Sequence, residues 1–295
     1  MYRRVVLGAA LLVSTLVAPR AAASEDPFIY VALGDSYTSG PLVLPHDTRF
    51  VPFDCGQSWR NYPHLVSLLV RADRFRDVSC GSATIDDFYA PQKGLPLGGT
   101  THAQFDALGP NVDVVTVGVG GNDVGFAGDA VDCIRVKPDQ PNCRARYVRN
   151  GVDQMSLAIQ DMQRELGLAL DEIHRRSARA AVFVVSYPTT LPDNRVACYP
   201  YLPIRQADMT YLVQKFKEMN RALRSAAQGH GATYVDIYTP SIGHDACKPV
   251  GMAWINGAVL VPPSFPAHPN ELSYLHSAPV VARAIKAHLG RRTLN

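Results

Sequence analysis

Four apolar runs along the chain have the length and composition of strands buried in a sheet. Val112–Val119 is rich in β-branched residues and ends in glycines, which is typical of a central parallel strand. The other three runs are Phe28–Leu33, Ala181–Val185 and Thr233–Ile237, and a weaker strand is expected at Asp77–Cys80.

Between these runs, apolar residues recur at spacings of three and four, which is the period of one buried helix face. The longest such patterns run from Met155 to Ile173 and from Met209 to Leu223. A last helix is expected over Val280–Leu289, with Pro279 in its first turn. Strands that alternate with helices predict an α/β fold whose central parallel sheet is covered on both faces.

The N-terminal residues 1–23 have the layout of a secretory signal peptide. Two arginines precede the apolar stretch Val5–Ala18, and Ala21–Ala23 offers a small-residue cleavage site. The stretch is shorter than the ~20 apolar residues that a membrane-spanning helix needs. We therefore expect residues 24–295 to form a single domain of a secreted, extracellular protein. The sequence leaves open whether export uses the general or the twin-arginine route.

The charge of the chain favours neither nucleic acid nor a membrane surface as a partner. The chain has 29 basic and 26 acidic residues, a formal net charge of +3. The predicted signal peptide holds three of the arginines and no acid, so the mature chain carries 26 of each sign. We see no basic patch and no lysine-rich amphipathic segment. We expect a monomer with no transmembrane span.

All six cysteines lie in the part of the chain that is predicted to be exported, where an even number favours disulfides. The sequence has neither a Cys-x-x-Cys motif nor a cysteine–histidine cluster with zinc spacing, so we expect no metal site. Six cysteines allow fifteen pairings. Chain order favours the three that each close a local loop: Cys55–Cys80, Cys133–Cys143 and Cys198–Cys247.

The tripeptide Gly34-Asp35-Ser36 directly follows the first predicted strand. A serine there lies at the edge of the sheet where open α/β folds bind ligands, and helix N-terminal amides beside it can stabilise an oxyanion. Asp35 and Ser36 also favour a helix cap, so the tripeptide alone leaves both interpretations open.

Three further segments carry candidate chemistry. Gly81 lies in Cys80–Thr84, where the lack of a Cβ lets a backbone N–H face a ligand. Asn122 lies in Gly120–Asp123, at the end of the central strand, where its amide can donate to an oxyanion. His268 lies between two prolines that restrict its loop. Taken alone, the Gly81 segment is better explained by a plain turn, Gly120–Asp123 also consists of ordinary turn formers, and a lone surface histidine is usually inert.

Together, in this order and spacing, the four segments resemble the four motif blocks of the SGNH (GDSL) hydrolase superfamily. Gly34–Gly40 resembles its nucleophile block, Gly81 stands for its conserved glycine, Gly120–Asp123 matches its asparagine block, and His268–Asn270 resembles its histidine block. The signal peptide and six cysteines make the chain most similar to secreted actinomycete lipases, esterases and phospholipases.

The resemblance implies a three-layer α/β/α sandwich of flavodoxin-like type and an acyl-enzyme mechanism without metal or cofactor. Ser36 would attack an ester carbonyl while His268 accepts its proton. The backbone N–H groups of Ser36 and Gly81 and the amide of Asn122 would form the oxyanion hole.

One position departs from the superfamily pattern, because Phe265 stands where an aspartate usually precedes the histidine by three residues. Asp245 and Glu271 lack the family spacing. We therefore expect a main-chain carbonyl, from Phe265 or Pro266, to orient His268. The chain also lacks Gly-x-Ser-x-Gly, which excludes the α/β-hydrolase nucleophile elbow.

We expect a secreted serine hydrolase that cleaves carboxylic esters of lipids or of small acyl groups. A carbohydrate O-acetylesterase on the same fold and a non-catalytic cell-wall binding protein are the alternatives. Apolar residues in the predicted loops favour acyl chains slightly: Leu42, Val43, Leu44, Leu95, Leu97, Leu202, Ile204 and Trp254.

Overall fold

The computed structural model describes residues 26–126, 133, 142–199, 202–257 and 264–292. The predicted signal peptide lies outside these residues. Within the described ranges, no helix has both the length and the apolar composition that crossing a bilayer requires.

A parallel sheet of five strands forms the centre of the molecule. Its strands are β1 (Ile29–Gly34), β2 (Arg74–Asp77), β3 (Val114–Gly118), β6 (Ala181–Val185) and β7 (Thr233–Val235), and a separate antiparallel ribbon pairs β4 (Val148–Arg149) with β5 (Val152–Asp153). The order across the sheet is β2-β1-β3-β6-β7, with every neighbouring pair parallel. This is the flavodoxin-like order. Strand β2 is added on one side of β1, and β3, β6 and β7 are added on the other, so the topological switch point lies between β1 and β3. A crevice is expected at the carboxyl ends of those two strands.

Seven α-helices surround the sheet in the part of the chain that is described. They are α1 (Ser36–Ser39), α2 (Tyr62–Val70), α3 (Asp86–Tyr89), α4 (Arg144–Tyr147), α5 (Gln154–Arg176), α6 (Gln206–Gly229) and α7 (Glu271–Arg292). Short 3-10 helices lie at Phe53–Cys55, Gln104–Ala107 and Thr239–Ser241.

The alternation of side chains along each strand divides the core into two halves. On β1, Val31 and Leu33 pack into the cluster that contains α5 and α6, whereas Tyr30 and Ala32 pack into the cluster with α2 and α7. The strands are apolar on both faces because each face buries a helical layer. The predicted three-layer α/β/α sandwich is confirmed.

Two predicted boundaries were wrong. The weak strand is β2, which ends at Asp77 where we expected it to begin. The side chain of Gln57, in the loop before α2, donates to the carbonyls of Asp77 and Ser79. Through these carbonyls the chain therefore bonds to this loop and not to a further strand.

The last helix begins at Glu271, eight residues before Pro279, so the proline lies inside it. A proline removes one backbone hydrogen bond from a helix. Burial of Tyr274, Ala278, Val281 and Ile285 against the sheet supports the helix through that position.

The structure contains the three disulfides that chain order favoured: Cys55–Cys80, Cys133–Cys143 and Cys198–Cys247. The first joins the 3-10 helix before α2 to the turn after β2. The third joins the segment that follows β6 to the one that follows β7.

Candidate active site

Ser36 is the first residue of α1, immediately after the central strand β1. Asp35 caps the helix, and its side chain accepts a hydrogen bond from the Tyr37 N–H at 2.9 Å. Gly34 is required by close packing, since a Cβ there would lie 2.6 Å from the Gly118 carbonyl oxygen and would collide with the Thr38 hydroxyl. Asp35 therefore does serve as a cap, and the cap presents the neighbouring serine at the edge of the sheet.

His268 approaches Ser36 from the loop before α7. Its Nε2 lies 2.8 Å from Ser36 Oγ, and its Nδ1 lies 2.8 Å from the Pro266 carbonyl oxygen. A carbonyl can only accept, so Nδ1 carries the proton and, in the neutral ring, Nε2 accepts from the serine hydroxyl. Burial lowers the pKa of His268 below its usual 6.5, and the hydrogen bond to Pro266 opposes that shift in part. The ring is therefore held in the neutral form with Nε2 as a base.

The other groups considered for contact with Nδ1 are engaged elsewhere. The Phe265 carbonyl accepts the His268 backbone N–H at 3.2 Å, so of the two expected carbonyls only Pro266 meets the ring. The Asp245 carboxylate accepts from the Cys247 N–H at 2.9 Å, and Glu271 pairs with Arg60 at 3.0 Å.

Asn122 follows β3, and its side chain lies among the residues that line the cavity beside Ser36. Its Nδ2 donates one hydrogen bond to the Ala83 carbonyl at 2.9 Å. An amide carries two donor hydrogens, so the second is available to a ligand. The backbone N–H of Ser36 is a second available donor, because it has no hydrogen-bond acceptor among the described residues.

Gly81 does not offer its backbone as expected. Its N–H donates to the Cys55 carbonyl at 2.9 Å, because the Cys55–Cys80 disulfide holds the two segments together. One residue further along, Ser82 adopts a left-handed backbone with φ of 63°. Within the ranges that the structure describes, its N–H has no acceptor.

Two polar side chains at the site were not singled out from the sequence as catalytic or binding groups. Tyr187 follows β6 and donates its hydroxyl hydrogen to the Asp35 carboxylate. Asp35 is 1% exposed, and burial raises its pKa to about 7. Tyr187 ends an apolar run at the carboxyl edge of the sheet, which is the signal that also pointed to Ser36 and Asn122.

An apolar cavity of about 240 Å³ adjoins the serine and the histidine. Its lining includes Phe126 after β3, Leu202 and Ile204 before α6, and Phe216 and Met219 on α6. Cavities lined in this way accept apolar groups. No group of His, Cys, Asp or Glu side chains suited to a metal ion occurs among the described residues.

Comparison with known proteins places this fold and site in one class. The model of the GDSL-like lipase/acylhydrolase family matches residues 32–275, which include Ser36, Asn122 and His268. The chain belongs to this family.

The relatives and solved structures that the chain resembles are lipases and a phospholipase. Lipase 2 of Streptomyces coelicolor is 34% identical over 285 residues, covering 92% of each chain. The crystal structure of an extracellular lipase from Streptomyces rimosus matches with a TM-score of 0.71 at 25% identity, covering 87% of this chain and 99% of that one. A phospholipase A1 from Streptomyces albidoflavus matches with a TM-score of 0.70 at 25% identity, covering 86% and 98%. This protein is accordingly a carboxylic ester hydrolase.

Proposed function

We propose that the protein is exported, with residues 1–23 as its signal peptide and 24–295 as its catalytic domain, and that it cleaves acyl esters through an acyl-enzyme on Ser36. The observation that carries this proposal is the 2.8 Å contact between Ser36 Oγ and His268 Nε2 beside an apolar cavity. The three disulfides and the extracellular relative from Streptomyces rimosus support export.

In the first half of the reaction, Ser36 Oγ attacks the ester carbonyl while its proton moves to His268 Nε2. The imidazolium then gives that proton to the oxygen of the leaving alcohol, and the acyl group remains on Ser36. The Pro266 carbonyl keeps Nδ1 protonated throughout, so Nε2 always faces the serine. In the second half, His268 takes a proton from water as the water oxygen attacks the acyl-enzyme. The bond from the acyl carbon to Ser36 Oγ then breaks, His268 returns the proton to Oγ, and the acid is released.

The tetrahedral oxyanion needs donors that are unpaired before the substrate arrives. The Ser36 N–H and the second amide hydrogen of Asn122 meet this requirement. We assign the third donor to the Ser82 N–H instead of Gly81, whose N–H is already paired. Ser82 lies in the turn between Cys80, whose N–H bonds to the Gly34 carbonyl, and Ala83, whose carbonyl bonds to Asn122.

The cavity favours a lipid-type acyl group over the acetyl group of a sugar ester. An engineered apolar cavity of about 150 Å³ holds one benzene molecule, so by proportion a cavity of this size holds roughly ten carbon atoms. An acetyl group would leave most of this apolar surface without a partner. We therefore propose esters of medium-length fatty acids as the substrates.

Kinetics with p-nitrophenyl octanoate test the proposal. Ser36→Ala and His268→Ala should each lower kcat by at least about 10³-fold while the protein stays folded. Ser67→Ala is the matched control, because Ser67 lies on α2 and its hydroxyl donates to the His64 carbonyl of its own helix. A Ser36→Ala variant with the wild-type rate would contradict the proposal.

A further inference from the structure

The Tyr187 hydroxyl connects the residue before Ser36 with the residue before Asn122. It donates to Asp35 Oδ2 and accepts the Gly121 N–H at 2.7 Å. Tyr187 and Asp35 are 4% and 1% exposed, so water cannot easily replace either bond. A Cβ on Gly121 would lie 3.1 Å from the tyrosine oxygen, so a larger residue there would push the Tyr187 hydroxyl by a few tenths of an ångström.

Tyr187 is itself held in place and protonated. Its backbone N–H donates to Asn220 Oδ1 at 2.9 Å, and its carbonyl accepts from Asn220 Nδ2 at 3.2 Å. Burial, with the nearby Asp35 carboxylate, raises the pKa of Tyr187 well above its usual value. The hydroxyl thus retains its hydrogen and can donate and accept at once.

Tyr37, the residue after Ser36, makes the corresponding connection to the histidine loop. Its hydroxyl donates to the Ala267 carbonyl at 2.6 Å, and its ring centroid lies 5.1 Å from that of His268. Ala267 has a φ of 56°, which an alanine adopts only when its surroundings impose it. The hydroxyl therefore contacts the strained peptide that precedes the base.

We propose that Asp35 and Tyr37 are positioning residues that align the other two site segments with Ser36, Asp35 acting through the Tyr187 hydroxyl on Gly121–Asn122 and Tyr37 acting directly on Ala267–His268. This inference rests on the proposed roles of Ser36, Asn122 and His268. It assigns functions to two hydroxyl groups that do not react themselves. Both connections act on the residue directly before a reacting side chain, so a small backbone shift there moves the reacting atom.

Tyr187→Phe and Tyr37→Phe each remove one hydroxyl and keep the ring. A displacement of about 1 Å can cost about 10²-fold in rate, so each variant should lower kcat by about 10- to 100-fold. The Michaelis constant should change by no more than about threefold, because the apolar cavity that binds the acyl chain retains its lining.

Tyr30→Phe is the matched control. Tyr30 is fully buried on β1 and its hydroxyl contacts Thr116 at 2.8 Å, but it faces α2 and α7. The Tyr30→Phe variant measures how the loss of a buried tyrosine hydroxyl affects stability when no contact of the site is changed. We expect its melting temperature to fall and its kcat to stay at the wild-type value.

A double-mutant cycle with Asn122→Ala separates the two connections. If Tyr187 acts through Asn122, Tyr187→Phe should have little further effect once the amide is gone. Tyr37→Phe acts through His268, so its effect should add fully to that of Asn122→Ala. Tyr37→Phe should also slow an ethyl ester more than a p-nitrophenyl ester, since the poorer leaving group needs the proton from His268.

Three results would overturn the inference: wild-type kcat in either tyrosine variant, losses no larger than in Tyr30→Phe at equal stability, or full additivity of Tyr187→Phe with Asn122→Ala. Any of these results in an enzyme that Ser36→Ala inactivates would remove the positioning roles and leave the proposed function standing. If Ser36→Ala remains active, the proposed function itself fails.

Discussion

Asn122 has two amide hydrogens, and the structure assigns one of them to the Ala83 carbonyl. The other can reach a ligand in the cavity that the side chain lines. This donor matters most when negative charge develops on the substrate oxygen, so its loss should appear in the transition state.

We predict that Asn122→Ala lowers kcat by about 10²- to 10³-fold with little change in the Michaelis constant. Steady-state kinetics on p-nitrophenyl octanoate would measure both constants. Asn142→Ala, which removes an exposed amide at the start of α4, is the control and should be neutral. A raised Michaelis constant with unchanged kcat would mean that Asn122 only shapes the turn.

The pH dependence of the reaction should follow the protonation of His268. Because burial lowers its pKa, the neutral base persists to a pH below 6.5. We predict that kcat/KM rises with pH through a single acid limb whose midpoint lies below 6.5. Asp35, beside Ser36, has a pKa of about 7, and burial raises the pKa of Asp123, next to Asn122, to about 6, so both carboxyl groups also titrate in this range.

Asp35→Asn distinguishes titration of His268 from titration of Asp35. A pH profile of the variant should retain the acid limb at a lower plateau, since the positioning hydrogen bond is changed and the base is not. A midpoint above 6.5 in the wild type, or a limb that disappears in the variant, would assign the titration to Asp35.

The elements that meet at the cavity set the size of the acyl group. Ala246 lines the cavity, is 2% exposed, and is held by its N–H bond to the Thr190 carbonyl at 3.1 Å. Because this position is buried and lines the cavity, we expect a large side chain there to occupy part of the cavity.

We predict that Ala246→Phe lowers kcat/KM for p-nitrophenyl octanoate by about tenfold or more and leaves the acetate ester within about threefold of wild type. A p-nitrophenyl series from acetate to palmitate would show the preferred chain length become shorter. Ala145→Phe, at an exposed position on α4, is the control. An unchanged chain-length profile would mean that the acyl chain binds elsewhere.

The elements that the sequence predicts correctly are those whose pattern is local. The runs behind β1, β3 and β6 are predominantly apolar because both faces of the sheet are buried, and Ser36 and Asn122 follow the ends of β1 and β3. The start of α7 could not be predicted, since packing against the sheet overrides the proline signal.

The details of the site depend on contacts between distant segments. The sequence could not indicate that the Gly81 N–H is paired to Cys55, nor which carbonyl meets His268, because both follow from how loops fold back on one another. The Asp35–Tyr187 contact joins residues 152 positions apart, and nothing in the local sequence around either residue indicates it.

At the scale of the whole molecule, the Cys198–Cys247 disulfide joins two loops that line the cavity. Cys198 precedes Leu202 and Ile204, and Cys247 follows Ala246, so one bond restrains both walls. It closes a loop with a sequence separation of 49, against 10 for Cys133–Cys143. The longer loop should contribute more to stability through the unfolded state.

We predict that replacing Cys198 and Cys247 together by serine lowers the free energy of unfolding by about 2–4 kcal/mol. Urea denaturation would measure it. Activity on octanoate should fall more than activity on acetate, because the walls of the cavity loosen. The same double replacement at Cys133 and Cys143 is the comparison, and an equal or larger loss there would contradict this account.

The central claim is that Ser36 carries the acyl group, and covalent trapping tests it most directly. A p-nitrophenyl ester of an octyl phosphonate should transfer its phosphonyl group to the nucleophile with loss of one p-nitrophenol. Digestion and mass spectrometry should place one adduct on Ser36, with inactivation in proportion, and the Ser36→Ala variant should stay unlabelled. An adduct on another residue, or full inactivation without one on Ser36, would contradict the account.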